Sequence, residues 1–230
     1  MSGLALVLWK IVRVAALILA VIWVILQVRK PRGWLGRRMA RAMNVGHAAM
    51  TDWGLEHVSI AKDAVMLDVG CGGGRTVNRL ATLAPQGRIV GLDYSAASVA
   101  VACQTNADSI KRGQVRIELG SVAALPFADA TFDVVTAVET HYYWPDLPAN
   151  VCEVRRVLKP DGMFILIAET YRGGPLKWLY AAVMPLLGAA FLSDAEHRDL
   201  LAEAGFTDVE TKHKLGTNWI LATGRQRSLT

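Results

Sequence analysis

Cysteine is scarce in these 230 residues, and its placement excludes two chemistries at once. Cys71, Cys103 and Cys152 are too far apart for a C-x-x-C metal clasp and too few for a disulfide framework. No metal site is expected, and the three read as small buried or ligand-adjacent residues in a reducing compartment. No internal repeat is present, which excludes a solenoid or array. Acidic residues are missing from the first 41 positions, where Lys10, Arg13, Arg29, Lys30, Arg32, Arg37, Arg38 and Arg41 all stand. That segment carries +8, so with a total of +5 the remainder carries −3. A basic balance confined to one end of the chain is no nucleic-acid surface, and no nucleic-acid partner is expected.

What fills that end is apolar. Residues 14–26 form an unbroken apolar run, and residues 4–28 contain only Lys10, Arg13 and Gln27 as strongly polar members. A bilayer needs about 20 such residues, so residues 1–30 read as a membrane anchor helix, with membrane lipid as a partner. Six of the eight cations follow the run, which by the positive-inside rule puts the next domain in the cytoplasm. The same cations attract anionic lipid. A cleavable signal peptide is disfavoured because Arg29-Lys30-Pro31-Arg32 follows directly, with no small-residue cleavage site. A helix lying in the membrane plane competes with a spanning one, since Lys10, Arg13 and Gln27 share an arc of about 100°. Residues 31–63 read as a basic linker and a helical segment packed on the following domain, with His47 bonded to backbone or water.

Residues 65–75 pass from apolar strand through a glycine loop into a helix over 75–83. Val65, Leu67 and Val69 suit a strand buried on both faces, and the loop glycines let a ligand approach backbone directly. A helix N-terminus lies beneath, offering N–H groups and the positive end of a dipole. A dinucleotide fingerprint would require a third glycine at position 75, where the chain has arginine, so a nicotinamide oxidoreductase is disfavoured. A second apolar strand over 88–93 ends in Asp93, 25 residues after Asp68. In a Rossmann-like sheet such an acid can accept both hydroxyls of a ribose.

Asp68-x-Gly70-x-Gly72-x-Gly74 resembles the first motif of the class I S-adenosylmethionine-dependent methyltransferases, of the small-molecule type, here behind an N-terminal membrane anchor. Further motifs in order strengthen the resemblance: F-D-x-V at Phe132, Asp133 and Val135, and L-K-P-x-G at Leu158, Lys159, Pro160 and Gly162. The resemblance implies S-adenosyl-L-methionine as cofactor. It implies binding by Asp68, Gly70, Cys71, Gly72 and Gly74, with Asp93 on the ribose and Tyr94 against the adenine. Ser121 stands where the family commonly has an aspartate for the adenine amine, with Val122 contributing through its backbone. No N-P-P-Y or D-P-P-Y is present, which argues against methylation of adenine or glutamine amides.

The alternation of strands and helices predicts an α/β fold. It is a Rossmann-like, seven-stranded, mostly parallel sheet with helices on both faces and a closing antiparallel pair over 206–212 and 218–223. The methyltransferase domain is expected over 64–230. Ligands bind beyond the carboxyl ends of such strands, so Glu139, His141, Tyr142 and Tyr143, just past the fourth strand, are the catalytic candidates, with His141 as first-choice base. The expected function is methyl transfer to a small, lipophilic acceptor at the cytoplasmic face of the membrane. A catalytically silent S-adenosylmethionine-binding or scaffold protein is the alternative. An apolar insertion over 171–192, interrupted by Pro185 and Gly188, is too short to span a bilayer. It reads as a lid over the methyl site that touches the membrane, with ordinary core as the competing reading.

Overall fold

The computed structural model describes residues 3–227 and, in the first helix, the side chains of residues 9–17, 20, 23, 24, 27 and 29. Three helices come first: α1 (Gly3–Arg29), α2 (Gly33–Gly46) and α3 (Ala48–Leu55). The alternating body follows as β1 (Val65–Val69), α4 (Arg75–Leu83), β2 (Arg88–Asp93), α5 (Ala96–Thr105), α6 (Ala107–Lys111), β3 (Val115–Leu119), β4 (Phe132–Val138), α7 (Leu147–Val157) and β5 (Leu158–Ala168). The chain closes with α8 (Lys177–Leu186), α9 (Asp194–Glu203), β6 (Phe206–His213) and β7 (Ile220–Gln226).

The seven strands form one sheet in the order β3-β2-β1-β4-β5-β7-β6. β1 to β5 are parallel, and β7 runs antiparallel between β5 and β6. The strand order reverses between β1 and β4, and at such a switch point the carboxyl ends leave a crevice. Apolar side chains bury both faces. Leu67, Val135, Phe164 and Leu166 pack under α7 and α9, and Met66, Ile89, Ile165 and Ile167 pack under α3 and α4. Gly54 of α3 lets that helix press onto β5, since a Cβ there would lie 2.5 Å from Ile167.

The expected mostly parallel Rossmann-like sheet is thus present, with local differences. Two helices follow β2 in place of one, because the buried Asn106 between α5 and α6 turns its amide onto the carbonyls of Gly74 and Ala102, both at 2.9 Å. The helical segment expected within residues 31–63 is likewise two helices, broken at His47. The L-K-P-x-G motif lies within β5: Leu158 pairs with Phe132 and Met163 with Val134, so Lys159-Pro160-Asp161-Gly162 bulges out of the ladder. Asp146 and Ser193 cap α7 and α9 through their side chains, Ser193 in a full capping box with Glu196.

Among the described residues no helix is long and apolar enough to cross a membrane. Half of the side chains of the anchor expected over residues 1–30 lie outside the described residues. The described part of α1 nonetheless exposes Trp9, Ile11, Val12, Val14, Leu17, Trp23 and Val24.

The insertion over 171–192 is part core and part exposed surface. Met184 is 2% exposed, and Tyr180, Leu187 and Phe191 pack against the core, whereas Trp178 is 80% exposed and Leu179 and Leu186 are open as well. A core methionine replaced by alanine loses about 2–5 kcal/mol, and an exposed substitution stays within about 0.5 kcal/mol. Met184→Ala should therefore lower the denaturation midpoint markedly and Trp178→Ser should leave it nearly unchanged, as urea titration would read.

Candidate functional site

The crevice at the switch point is a cleft of about 1080 Å³, counted to its open mouth. The glycine loop forms its floor, and residues from α2 and α3 cover it: Ala40, Met43, Asn44, His47 and Thr51 all line it. The roof is fastened to the loop. Asn44 donates to the Gly73 carbonyl at 2.8 Å, and Asp52 accepts from both Arg75 and Arg79 of α4 at 2.9 and 2.8 Å.

Gly70 must be glycine, with φ +73° and Thr140 Oγ1 only 2.1 Å from where a Cβ would stand. Gly72, at φ +52°, has open space at that position, so the backbone is bare toward the cleft. The loop amides are mostly engaged within the protein. Gly70 and Cys71 donate to the Leu92 carbonyl, Gly74 donates to the Cys71 carbonyl, and Gly72 donates to Asp93 Oδ2 at 2.8 Å. The loop therefore offers a ligand room more than donors. Gly74, the N-cap of α4, has no side chain to cap the first-turn amides, and Arg75 and Thr76 line the floor there.

The acids take different places. Asp93 lies in the lining, and its second oxygen accepts from the Ser95 amide at 2.8 Å. The Ser98 hydroxyl also reaches this carboxylate, whose four lone-pair sites still exceed the three bonds. Burial raises its pKa against the opposing pull of those two amides. Asp68 is 1% exposed and absent from the lining. It sits behind the loop, accepting from Thr136 Oγ1 at 2.6 Å, and burial pushes its pKa up to about 7. Tyr94, Ser121, Val122 and Cys71 all line the cleft, with burial pushing the Cys71 thiol well up.

The catalytic candidates also separate. Glu139 and Tyr143 line the cleft; His141 and Tyr142 do not. His141, the first-choice base of the sequence, is 1% exposed and turns into the core, its Nε2 3.3 Å from Nε2 of His197 on α9. Burial, then the neighbouring imidazole, holds it well below the ordinary histidine range. The reason is the tight 3-10 turn at His141–Tyr143, which aims consecutive side chains in different directions. Tyr142 supports Glu139 from behind, donating to Oε2 at 2.6 Å. Glu139 adopts φ +57°, a strained conformation for a side chain of its size, of the sort that clusters at functional sites.

Around Glu139 stand two residues the sequence did not assign. His47 Nε2 is 3.8 Å from Glu139 Oε2, and the Glu169 amide donates to Glu139 Oε1 at 2.5 Å. One ligand atom from each of His47, Glu139 and Glu169 lies within 4.8 Å of the others, spacing that could hold a cation, although none is expected from the sequence. Without one, burial first and the Glu169 charge second push Glu139 up to about 8. Glu169 follows the end of β5 as Glu139 follows β4, so the strand-end rule could have found it. Nothing in the spacing of His47 could.

Residues 67–166 match the family described as a methyltransferase domain. A demethylmenaquinone methyltransferase of Lactiplantibacillus plantarum is 30% identical over 173 residues, 72% of this chain and 73% of that protein. The chain belongs to the class I S-adenosylmethionine-dependent methyltransferases. The demethylmenaquinone methyltransferase of Shouchella clausii is likewise 30% identical, over 70% of this methyltransferase and 78% of its own length. Among solved structures, a putative methyltransferase of Haloferax volcanii shares the fold with a TM-score of 0.73 at 21% identity, covering 85% of this chain and 96% of its own. Human N-acetylserotonin methyltransferase in complex with its cofactor gives 0.69 at 19%, covering 84% and 56%. S-adenosylmethionine is the cofactor of the methyltransferase, and the cleft suits it: a bare glycine floor, and acids whose burial disfavours their charge until a cation arrives.

Glu139 makes a test of that last point. A carboxyl whose folded pKa lies above its unfolded value binds the extra proton between the two, so folding stability falls as pH rises from about 4.5 to about 8. Glu139→Gln cannot ionise and keeps an acceptor for the Glu169 amide. Its stability relative to the native chain should therefore rise across that window, by up to a few kcal/mol at pH 8, in denaturation curves recorded at about pH 5 and about pH 8.5.

Proposed function

We propose that this methyltransferase acts on a lipophilic acceptor of the demethylmenaquinone kind at the cytoplasmic face of a membrane, with Glu139 as general base. The carrying observation is the position of Glu139, the buried carboxyl that faces the cleft where β4 ends, with Tyr142, His47 and the Glu169 amide around it. Relatives at 30% identity named for demethylmenaquinone support the class of acceptor. The exposed apolar row of α1, followed by Arg29, Lys30 and Arg32, supports the membrane face and the orientation.

S-adenosylmethionine supplies, when bound, a methyl group on a positively charged sulfur. On this reading the chain's residues do the rest. Asp93 takes the ribose hydroxyls with its remaining lone pairs, and Tyr94, Ser121 and Val122 border the adenine. Asp68, buried against Thr136, does not line the cleft. Met43, Tyr143 and Trp144 wall the acceptor end and exclude water, which orients the acceptor and strengthens every charge inside. Glu139 Oε2, as carboxylate, takes the proton of the acceptor's ring hydroxyl as the acceptor receives the methyl. His47 and Tyr142 hold Glu139 in place.

Two measurements test the assignment. Asp93→Asn, which keeps one acceptor for the loop, should weaken S-adenosylhomocysteine binding in calorimetry by about tenfold or more, because ribose hydroxyls lose a partner built for them. Unchanged affinity would remove the ribose role. With a demethylmenaquinol analogue, the native rate should climb as pH rises through about 8, the point to which burial brings Glu139. Glu139→Gln should lose about 100-fold or more of kcat and the pH dependence with it, while still binding cofactor.

A further inference from the structure

A second cavity lies beside the cleft, lined by Trp23, Gln27, Arg29, Lys30, Arg32 and Tyr94. Three of its six residues are cations, and among the described residues none of the three has a carboxylate within ion-pair distance. Lys30 lies over the Tyr94 ring with Nζ 4.7 Å from its centroid. The backbone that carries these cations is held in shape. Gln27, only 7% exposed, accepts from the Arg32 amide at 2.8 Å, and a Cβ on Gly36 would meet the Pro31 backbone at 2.7 Å. An assembled cluster of unpaired cations over an aromatic floor suits a phosphate group.

The same backbone is bonded to the cofactor end of β2. Tyr94 donates its hydroxyl to the Arg29 carbonyl, and Ser95 Oγ donates to the Pro31 carbonyl at 2.6 Å. Ser95 and Tyr94 immediately follow Asp93, whose oxygens hold the Ser95 amide and the Gly72 amide of the glycine loop. Arg29 and Tyr94 line both the cavity and the cleft, and Pro31 lines the cleft as well. A group that fixed residues 29–32 would therefore also fix one wall of the cofactor site.

We infer that Arg29, Lys30 and Arg32, over Tyr94, bind the phosphate of an anionic membrane lipid, and that this binding tightens the cofactor cleft. The inference rests on the membrane-face reading. The source is a lipid because exposed apolar residues flank the cations in the chain, Trp23 and Val24 before them and Trp34 after them, where an acyl chain needs cover. Tryptophans beside cations are the side chains found where hydrocarbon meets headgroups. Coupling between two sites is reciprocal, so cofactor in turn favours the lipid.

The full-length chain is reconstituted in phosphatidylcholine vesicles with and without phosphatidylglycerol and titrated with S-adenosylhomocysteine. Phosphatidylglycerol should tighten binding by about fivefold, at the low end of ordinary coupling. The double variant Lys30→Gln, Arg32→Gln should bind as the native chain does in neutral vesicles and gain nothing from the anionic lipid. Equal affinity in both vesicles, or an undiminished gain in the double variant, overturns the inference. Inorganic phosphate added to neutral vesicles should not reproduce the gain; if it does, the site takes free phosphate and the lipid assignment is wrong. Native mass spectrometry reads the site without cofactor: the native chain should retain phosphatidylglycerol over phosphatidylcholine and the double variant should not, and absence of that preference overturns the site. Failure to bind S-adenosylhomocysteine in any vesicle, with that preference intact, counts against the cofactor assignment and leaves the lipid site standing.

Discussion

One carboxylate joins three parts of this molecule. Asp93 ends β2, and its two oxygens hold the Gly72 amide on one side and the Ser95 amide on the other. Through Gly72 it fixes the glycine loop that floors the cleft. Through Ser95, which reaches the Pro31 carbonyl, it fixes the passage from α1 to α2 and hence the edge of the roof. A carboxylate can do this because it offers four lone-pair sites, of which the Ser98 hydroxyl takes one more. The strand end, the loop and the helix passage are thereby one unit, and geometry at the cofactor site depends on all three.

The cost of that arrangement is electrostatic. Asp68, Asp93 and Glu139 are all buried, and burial raises the pKa of each. Three acids with disfavoured charge around one crevice form a site that gains from a positive ligand, and the cofactor of this family carries a sulfonium. The strain at Glu139 belongs to the same account. Its left-handed backbone is held by the Tyr142 hydroxyl and the Glu169 amide, so the side chain keeps to the cleft wall instead of relaxing into solvent. Stability given up at such a point is a common accompaniment of a working site.

The insertion and the amino-terminal helices show where apolar sequence leaves its partner open. Along residues 178–192 the composition admits both lid and core, and the chain turns Met184 inward and Trp178 outward on the same short helix. The helical period permits that division, since residues six apart in a helix point about 120° away from one another. None of these residues lines the cleft; Tyr180 alone feels the charges of Glu139 and Glu169, which help to raise its pKa. What covers the cleft is α2 and α3, a stretch whose methionines and histidine carry no motif.

Much of this protein was legible in its sequence because local rules act over a few residues. The strand-loop-helix at 65–83, the acid closing β2 and the closing antiparallel pair each follow from apolar alternation and glycine placement within a short window. The tertiary structure decided what depends on direction and on long-range approach. It turned His141 toward His197, 56 residues away, and left Glu139 facing the cleft, because a 3-10 turn redistributes side chains that are adjacent in sequence. It brought His47 and Glu169 to Glu139 from separate elements, and set Asp68 behind the loop it seemed to serve directly. Sequence specifies which groups stand at the ends of strands; only packing against the rest of the chain decides which of them face the ligand, since one turn of backbone separates the cleft from the core.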